Sequence, residues 1–179
     1  HDTDEGIRWE PDHAAMLNLA PLQEGGVISA AFASQICDGA SAVLVASAAA
    51  VKKYGLKPIA RIHTMAVVGS DPTMVLEGPI PATQKVLEKS GLKIEDMDLY
   101  EVNEAFGSVP LAWAKAVGAD LTKLNVNGGA QALGHPLGAT GSKLAGTLIY
   151  ELHRRGGRYG LLAICEGLGT ANATIFEIV

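Results

Sequence analysis

A glycine-rich stretch, NGGAQALGHPLGATG at residues 127–141, contains one side chain with acid/base chemistry, His135. Pro136 follows it, and proline is favoured in the first turn of a helix, so the imidazole is predicted to lie near a positive helix N-terminus. Cys165 belongs to a second loop, CEGLG at residues 165–169. A thiol beside an imidazole and a helix N-terminus ionises more easily, and glycines let backbone N–H groups approach an anionic oxygen. The two loops therefore predict thiol chemistry with an oxyanion site.

Two phosphate-binding patterns that also use glycines do not fit this chain. The Walker pattern ends in Gly-Lys followed by Ser or Thr, whereas the order here is Gly141-Ser142-Lys143. The dinucleotide-binding pattern needs a third glycine and a following helix, and the segment GLGTAN at 167–172 has neither. The glycines therefore do not indicate a nucleotide site.

The elements that must position these loops alternate between helix and strand. Apolar spacing and glycine stops predict helices, and β-branched runs bounded by turn residues predict strands. The predicted helices are a short one within the first twenty residues and others at 34–40, 48–54, 80–90, 105–118 and about 137–155. The predicted strands are 41–47, 57–70, 97–106, 158–167 and 170–179, with the last two forming a hairpin. Helices between buried strands predict an α/β fold, in which loops at strand ends carry functional groups.

Composition excludes several classes of partner. The chain has 179 residues, 48% of them hydrophobic, and a formal net charge of −5. No run of Lys or Arg is longer than a pair such as Arg154-Arg155, so we expect no nucleic-acid or anionic-membrane surface. The longest apolar stretch, 39–51, is too short to span a membrane and is expected to be buried. The two cysteines, outside any CxxC spacing, favour a reducing, cytoplasmic compartment without a disulfide framework or a metal site.

Three motifs occur in a fixed order: NEAF at 103–106, NVNGGAQALGHPLGATG at 125–141 and CEGLGTANATIFE at 165–177. Together with GPIPATQKVLEKSGLKIEDMDLYEVNEAF and ASQICDGASAVLVAS, they resemble the carboxyl-terminal half of the thiolase family, the acetyl-CoA acetyltransferases and 3-ketoacyl-CoA thiolases, over essentially the whole chain. The resemblance implies a layered α-β-α-β-α fold in the complete protein, with a mixed sheet covered by helices. It also implies that residues 1–54 end the N-terminal half and that 55–179 form the C-terminal domain.

The resemblance implies acyl transfer in fatty acid metabolism, either thiolytic cleavage of a 3-ketoacyl-CoA or the reverse Claisen condensation. Coenzyme A is then a substrate, and no permanently bound cofactor is expected. Cys165 matches the cysteine that moves a proton at the α-carbon. His135 matches the histidine that activates the acylated nucleophile and, with a water held by Asn103, binds the thioester oxygen. The backbone N–H of Gly167 matches part of a second oxyanion hole.

The resemblance also assigns binding residues. Ser34 matches a position that contacts the pantetheine of CoA, while Ala105 and Phe106 match the lining of the acyl pocket. Phe32 and Leu168 stand where many thiolases have asparagine and glycine. Both changes are bulky and close to the expected site, so they leave the preferred acyl group open.

One part of the family pattern is absent from this chain. Nothing resembles the motif of the acylated cysteine, and Cys37 lies where the family does not place it. We therefore expect the chain to be inactive alone, a missing N-terminal half to supply that cysteine, and the complete protein to be a homo-oligomer, either a dimer or a tetramer.

Other interpretations stay open from the sequence. A noncatalytic acyl-CoA-binding or structural subunit would also lack the nucleophile, whereas a ketoacyl synthase relative is disfavoured by the intact NEAF and CEG motifs. Individual residues have structural alternatives too: Asn103 could cap the helix after it, Glu104 could complement that helix's dipole, and Cys37 is expected to be a small buried side chain.

Overall fold

Four strands form one mixed sheet in the computed structural model, which describes residues 2–179. The strands are β1 (Ala60–Gly69), β2 (Leu99–Val102), β3 (Tyr159–Cys165) and β4 (Thr170–Ile178), in the spatial order β1-β4-β3-β2. β4 pairs antiparallel with both β1 and β3, and β2 pairs parallel with β3. The predicted hairpin of the last two strands is confirmed, and it places Cys165 opposite Ala171 at its closed end.

Six α-helices accompany the sheet within residues 2–179. They are α1 (His13–Leu17), α2 (Ala48–Tyr54), α3 (Pro79–Ser90), α4 (Ser108–Val117), α5 (Ala130–Leu133) and α6 (Thr140–Arg155). The predicted glycine stops are confirmed where they matter most: α3 ends at Gly91 (φ 73°) and α6 at Gly156 (φ 68°), both in the left-handed conformation that glycine adopts without strain. Two helices begin three residues later than predicted, at Ser108 and Thr140.

Helices cover both faces of the sheet, each with its own apolar core. On one face α3 and α4 pack against the sheet through fully buried side chains, among them Val86, Met97, Tyr100, Trp113, Leu161 and Ile175. On the other face α6 contributes Leu144, Leu148 and Leu152, which pack against Leu99 and Leu162. Neighbouring strand residues point to opposite faces, so one short strand serves both cores. The mixed sheet covered by helices that the sequence predicted is confirmed.

Trp113 joins helix to sheet at the centre of the first core. Its indole N–H donates a hydrogen bond of 2.8 Å to the hydroxyl of Thr83, and its ring meets that of Tyr100 edge-on at 5.4 Å. A buried tryptophan needs a partner for its N–H, and Thr83 on α3 supplies one. The contact fixes α4 against α3 beneath β2.

Residues 34–47 differ from the prediction. The predicted helix at 34–40 and the predicted buried strand at 41–47 are both wrong, because the segment has neither conformation. Leu44 is 81% exposed, although the sequence predicted a buried stretch. A strand requires a backbone partner, and none of the four strands formed by residues 2–179 pairs with 41–47.

The late start of α6 has a local cause. The N–H groups of Ala139 and Thr140 both donate to the carbonyl of Pro136, at 2.7 and 2.9 Å, so residues 136–139 form a turn before the helix proper. None of the helices in the described part of the chain combines the length and the apolar character that crossing a membrane requires.

Candidate active site

One cavity of about 480 Å³ brings together residues from the three sequence motifs at 103–106, 125–141 and 165–177. His135, Cys165, Gly167 and Ala105 all line it. Cys165 is the last residue of β3, Ala105 follows β2, and His135 lies between α5 and α6. Because β2 and β3 are parallel neighbours, their carboxyl ends open at the same edge of the sheet, where the α6 N-terminus also lies.

The Cys165 side chain is a buried thiol. It is 8% exposed. Burial raises the pKa of this thiol, and the carboxylate of Glu166 adds to the effect, while a hydrogen bond from the Asn103 side chain opposes it. The sequence predicted a thiol that ionises easily; in this chain burial outweighs the favourable contacts. Cys165 therefore holds its proton at neutral pH and is suited to donate it.

His135 is held by the first residue of α6. Its Nδ1 atom lies 2.7 Å from the hydroxyl oxygen of Thr140, and that hydroxyl donates to the carbonyl of Pro136 at 3.1 Å. Since the hydroxyl proton is used there, Nδ1 carries the ring proton and donates, which leaves the lone pair on Nε2. Burial first, and then the charge of Lys143, lowers the pKa of His135. The imidazole is therefore a neutral base at neutral pH.

Asn103 follows β2 and is 1% exposed. Its backbone N–H donates to the carbonyl of Ala163 at 3.0 Å, which continues the pairing of β2 with β3. Its side-chain oxygen Oδ1 is shielded from solvent and has no hydrogen-bond partner. An unpaired buried acceptor costs about 1–3 kcal/mol, so it is a place where a water or a ligand donor would bind. The capping alternative for Asn103 is wrong, because α4 begins at Ser108 with Gly107 as its cap.

A second unpaired oxygen lies two residues before Asn103. Glu101 is buried, its Oε2 atom has no hydrogen-bond partner, and strand alternation places it on the α6 side of β2 together with Asn103. Burial, with a smaller contribution from the charge of Glu104, raises the pKa of Glu101 to about 8. Lys143 opposes this shift. The carboxyl group is thus predominantly protonated at neutral pH.

The turn after Cys165 has an unusual backbone. Leu168 adopts φ 59° and ψ 30°, a left-handed conformation that favours glycine, and its side chain is 84% exposed. Gly169 then packs against the β1 end: a Cβ on Gly169 would lie 2.6 Å from the carbonyl oxygen of Ser70. The Ser70 N–H and hydroxyl both donate to the Gly169 carbonyl, at 2.7 and 2.8 Å. These contacts fix the turn that presents Gly167 to the cavity.

The three predicted binding residues are adjacent but do not all reach the cavity. The N–H and the hydroxyl of Ser34 both donate to the carbonyl of Ala105, each at 3.1 Å. Ala33 pairs with Phe106 through an isolated bridge. Ala105 lines the cavity, whereas Ser34 and Phe106 are not among its lining residues. Their contacts with CoA and with the acyl group stay predictions.

Sequence reasoning missed the role of Glu104. The expected pairing with the following helix is wrong, because α4 begins four residues later, at Ser108. The carboxylate instead accepts hydrogen bonds from the segment that leads to His135, as described below. No local sequence pattern predicts these hydrogen bonds, because the two donors lie 21 and 27 residues from Glu104 in the chain.

The second cysteine, Cys37, lies next to the segment that carries His135. Cys37 is half-buried rather than buried, and it packs on the backbone beside His135: a Cβ on Gly134 would lie 2.5 Å from its sulphur. Within residues 2–179, no three His, Cys, Asp or Glu side chains are grouped so that they could hold a metal ion.

Comparison with known proteins agrees with the fold and the motifs. The family described as "Thiolase, C-terminal domain" matches residues 56–178. A steroid 3-ketoacyl-CoA thiolase of Mycobacterium tuberculosis is 59% identical over 97% of this chain and 42% of its own length. A 3-ketoacyl-CoA thiolase of Yersinia enterocolitica is 46% identical over 99% of this chain and 47% of its own length. The chain thus spans about half the length of the curated relatives it matches.

A solved structure shows the same arrangement. Human mitochondrial 3-ketoacyl-CoA thiolase superposes with a TM-score of 0.93 at 44% identity, covering 98% of this chain and 45% of that protein. The human protein has also been solved in complex with CoA.

Proposed function

This chain belongs to the thiolase family, and from that premise we propose that it forms the acid/base half of an acyl-CoA C-acyltransferase. The reaction is thiolytic cleavage of a 3-ketoacyl-CoA or the reverse Claisen condensation, with CoA as a substrate. One observation carries the proposal: His135, Cys165, Gly167 and Ala105, which come from three separate segments of the chain, line a single cavity.

The protonation states suit the cleavage direction. The neutral His135 accepts the proton of the attacking cysteine at Nε2, and the resulting Nε2–H then donates to the oxygen of the departing enolate. The Cys165 thiol donates its proton to the α-carbon as the carbon–carbon bond breaks, and Cys165 is left as a thiolate. That thiolate then takes the proton of the CoA thiol, which attacks the acyl-enzyme, and the released nucleophilic cysteine regains its proton from His135. The unpaired Oδ1 of Asn103 supports a role in holding a water that contacts the same oxygen. The Gly167 N–H would bind the oxyanion of the acylation step.

The acylated cysteine comes from another segment in this proposal. We assign residues 1–54 to the end of the N-terminal half and residues 55–179 to the C-terminal domain, so that the site is completed where the two halves meet. The complete protein would be a cytoplasmic homo-oligomer, a dimer or a tetramer.

Two exposed side chains bear on the acyl group. Phe32 and Leu168 stand next to the loops of the site and both are exposed. Together with Ala105 and Phe106 they offer apolar surface for a bulky acyl chain, while Ser34 would contact pantetheine. Because one close relative is a steroid 3-ketoacyl-CoA thiolase, steroid-derived thioesters are the first bulky substrates to assay.

The test uses the complete protein that carries this chain. Thiolytic cleavage of acetoacetyl-CoA and of a steroid-derived 3-ketoacyl-CoA is measured for the wild type, for His135→Ala and for His153→Ala, an exposed control on α6. We expect the His135 variant to lose both acylation and cleavage by about 10²-fold or more, while the control stays active. An unimpaired His135 variant contradicts the assignment. A wild type that binds acyl-CoA without cleaving it favours the noncatalytic subunit instead.

A further inference from the structure

We propose that Glu104 is a positioning residue, whose carboxylate holds the segment 125–131 against the end of β2 and thereby sets the place of His135. The inference rests on the proposed function, because it assigns Glu104 to the support of the same site.

The carboxylate accepts one hydrogen bond at each of its oxygens. Asn125 Nδ2 donates to Oε1 at 2.7 Å, and the backbone N–H of Gln131 donates to Oε2 at 2.8 Å. The Gln131 side chain reaches back as well: its Nε2 atom lies 3.3 Å from the Glu104 carbonyl oxygen and 3.0 Å from that of Phe32. Glu104 thus joins two points of one loop, six residues apart, to the turn after β2.

Asn125 transmits this contact to the strand itself. Its backbone is in the left-handed conformation, with φ 47°, and its side-chain amide pairs with both the N–H and the C=O of Val102, at 2.8 and 2.9 Å. The side chain takes the place of a neighbouring strand at the end of β2. Its remaining amide hydrogen points to Glu104, so the carboxylate completes the hydrogen bonding of Asn125.

Gly129 shows how closely the carboxylate fits the loop. A Cβ on Gly129 would lie 2.5 Å from Glu104 Oε2, a contact that real structures do not tolerate. The φ of Gly129 is −110°, outside the left-handed region, so it is the close approach of the carboxylate that leaves no room for a Cβ unless the Glu104 side chain moves. The Glu104 carboxylate occupies the space that a side chain at position 129 would need.

The position of this contact explains why it matters for the site. Asn103 directly precedes Glu104, and Gln131 lies in α5, which ends two residues before His135. Glu104 itself is not among the residues that line the cavity. It therefore acts through the residues on either side of it, by fixing the distance between the two loops. A misplacement of about 1 Å in such a site can cost about 10²-fold in rate.

Glu104→Gln is the sharpest single variant, because it keeps the shape and replaces one acceptor by a donor. The introduced amide group must face either Asn125 Nδ2 or the Gln131 N–H, and both are donors. In the complete protein we expect kcat to fall about 10-fold or more, with KM for the acyl-CoA within about twofold. Acylation of the nucleophile and exchange of α-protons should both fall, since both depend on His135. Glu88→Gln, an exposed site on α3, is the control.

Gly129→Ala perturbs the same contact from the other side. The introduced methyl group displaces the carboxylate, so we expect the same joint loss of acylation and proton exchange. Gly146→Ala is the matched control, because a Cβ there meets nothing within 4 Å.

A double-mutant cycle with Asn125→Asp separates positioning from general damage. In the double variant the introduced glutamine amide can donate to the new carboxylate, which reverses the direction of the original hydrogen bond. We expect Glu104→Gln to lower kcat by a factor at least about threefold smaller in the Asn125→Asp background than in the wild type.

An equal loss of kcat in both backgrounds would overturn the inference, as would a Glu104→Gln enzyme whose kcat matches that of Glu88→Gln. Loss of proton exchange with normal acylation would overturn it as well. An inactive wild type refutes the proposed function and the inference together, whereas an active wild type with an unimpaired Glu104→Gln variant refutes the inference alone.

Discussion

Residues 60–178 and residues 2–47 differ in how far their side chains are buried. The first region carries two apolar cores on the two faces of one sheet. In the second region, among the described residues, Ser29 is the one buried side chain, and Leu44 and Trp9 are more than four-fifths exposed. Both regions contain apolar runs that predict strands, but only the first supplies strands with partners. A periodic pattern therefore predicts structure reliably where the partner is part of the same region.

The largest expected effect is on the free energy of unfolding, which should respond to a substitution in the first region and not to one in the second. Trp113→Ala removes a fully buried ring and leaves Thr83 without its hydrogen bond, so it should lower the free energy of unfolding by about 3–5 kcal/mol. Leu44→Ala in the chain of residues 1–179 should change it by less than about 0.5 kcal/mol, because the side chain is already in water. Urea unfolding followed by far-ultraviolet circular dichroism measures the free energy of unfolding of both variants without relying on tryptophan fluorescence. Equal losses for the two variants would mean that the regions do not differ as described.

The next effect concerns a buried carboxyl group, which residues 2–47 do not contain among their described side chains. The pKa of Glu101 is about 8 in the folded chain against 4.5 for the free side chain. Between these values the unfolded chain releases a proton that the folded chain retains, so the contribution of Glu101 to stability is lost as pH rises from about 4.5 to 8.

Glu101→Gln removes this titration. We expect the variant to gain on the wild type by about 1.4 kcal/mol per pH unit between about pH 5 and pH 8, and to differ little from it at pH 4. Glu88→Gln, where the side chain is exposed, should leave the pH profile of the unfolding free energy unchanged. A wild-type profile that already matches the Glu101 variant between pH 5 and 8 would contradict the buried, protonated carboxyl group.

The smallest effect on stability is expected at Leu168, which lies within the packed region yet is as exposed as Leu44. Leu168→Gly relieves a left-handed backbone but frees the unfolded chain, so the two contributions of about 1 kcal/mol nearly cancel. The variant should instead change substrate preference in the complete protein. Loss of an apolar side chain beside the cavity should lower kcat/KM for bulky acyl-CoA substrates about 10-fold relative to acetoacetyl-CoA. Leu121→Ala, exposed and remote, is the control, and an unchanged ratio would remove Leu168 from the acyl site.

How far the sequence predicted the structure follows the same division. Apart from the short α5, which the glycine-rich stretch did not indicate, the strands and helices from Ala48 onward could be predicted because their apolar spacing, glycine caps and turns are local signals. Gly91 and Gly156 end their helices as expected. The strand predicted at 41–47 does not form, since strand formation depends on a partner that residues 2–179 do not provide. The helix predicted at 34–40 is also wrong, and its residues are extended or irregular.

The site shows a similar limit. The motifs place His135, Cys165 and Gly167 on loops that meet at one cavity, and the ends of parallel strands explain why. The sequence could not predict the protonation of Cys165, because burial depends on the packing of β3 and not on neighbouring residues. It could not predict the contacts of Glu104 either, because a single carboxylate gives no sign of which distant N–H groups it will meet.

The most direct measurement is the exchange of acyl-CoA α-protons for deuterium by the complete protein, compared between the wild type and Cys165→Ala. If Cys165 moves the α-proton, the variant should lose exchange by about 10²-fold or more while its nucleophilic cysteine is still acylated by acetyl-CoA. Exchange at the wild-type rate in Cys165→Ala would contradict the account, because another group would then move the proton.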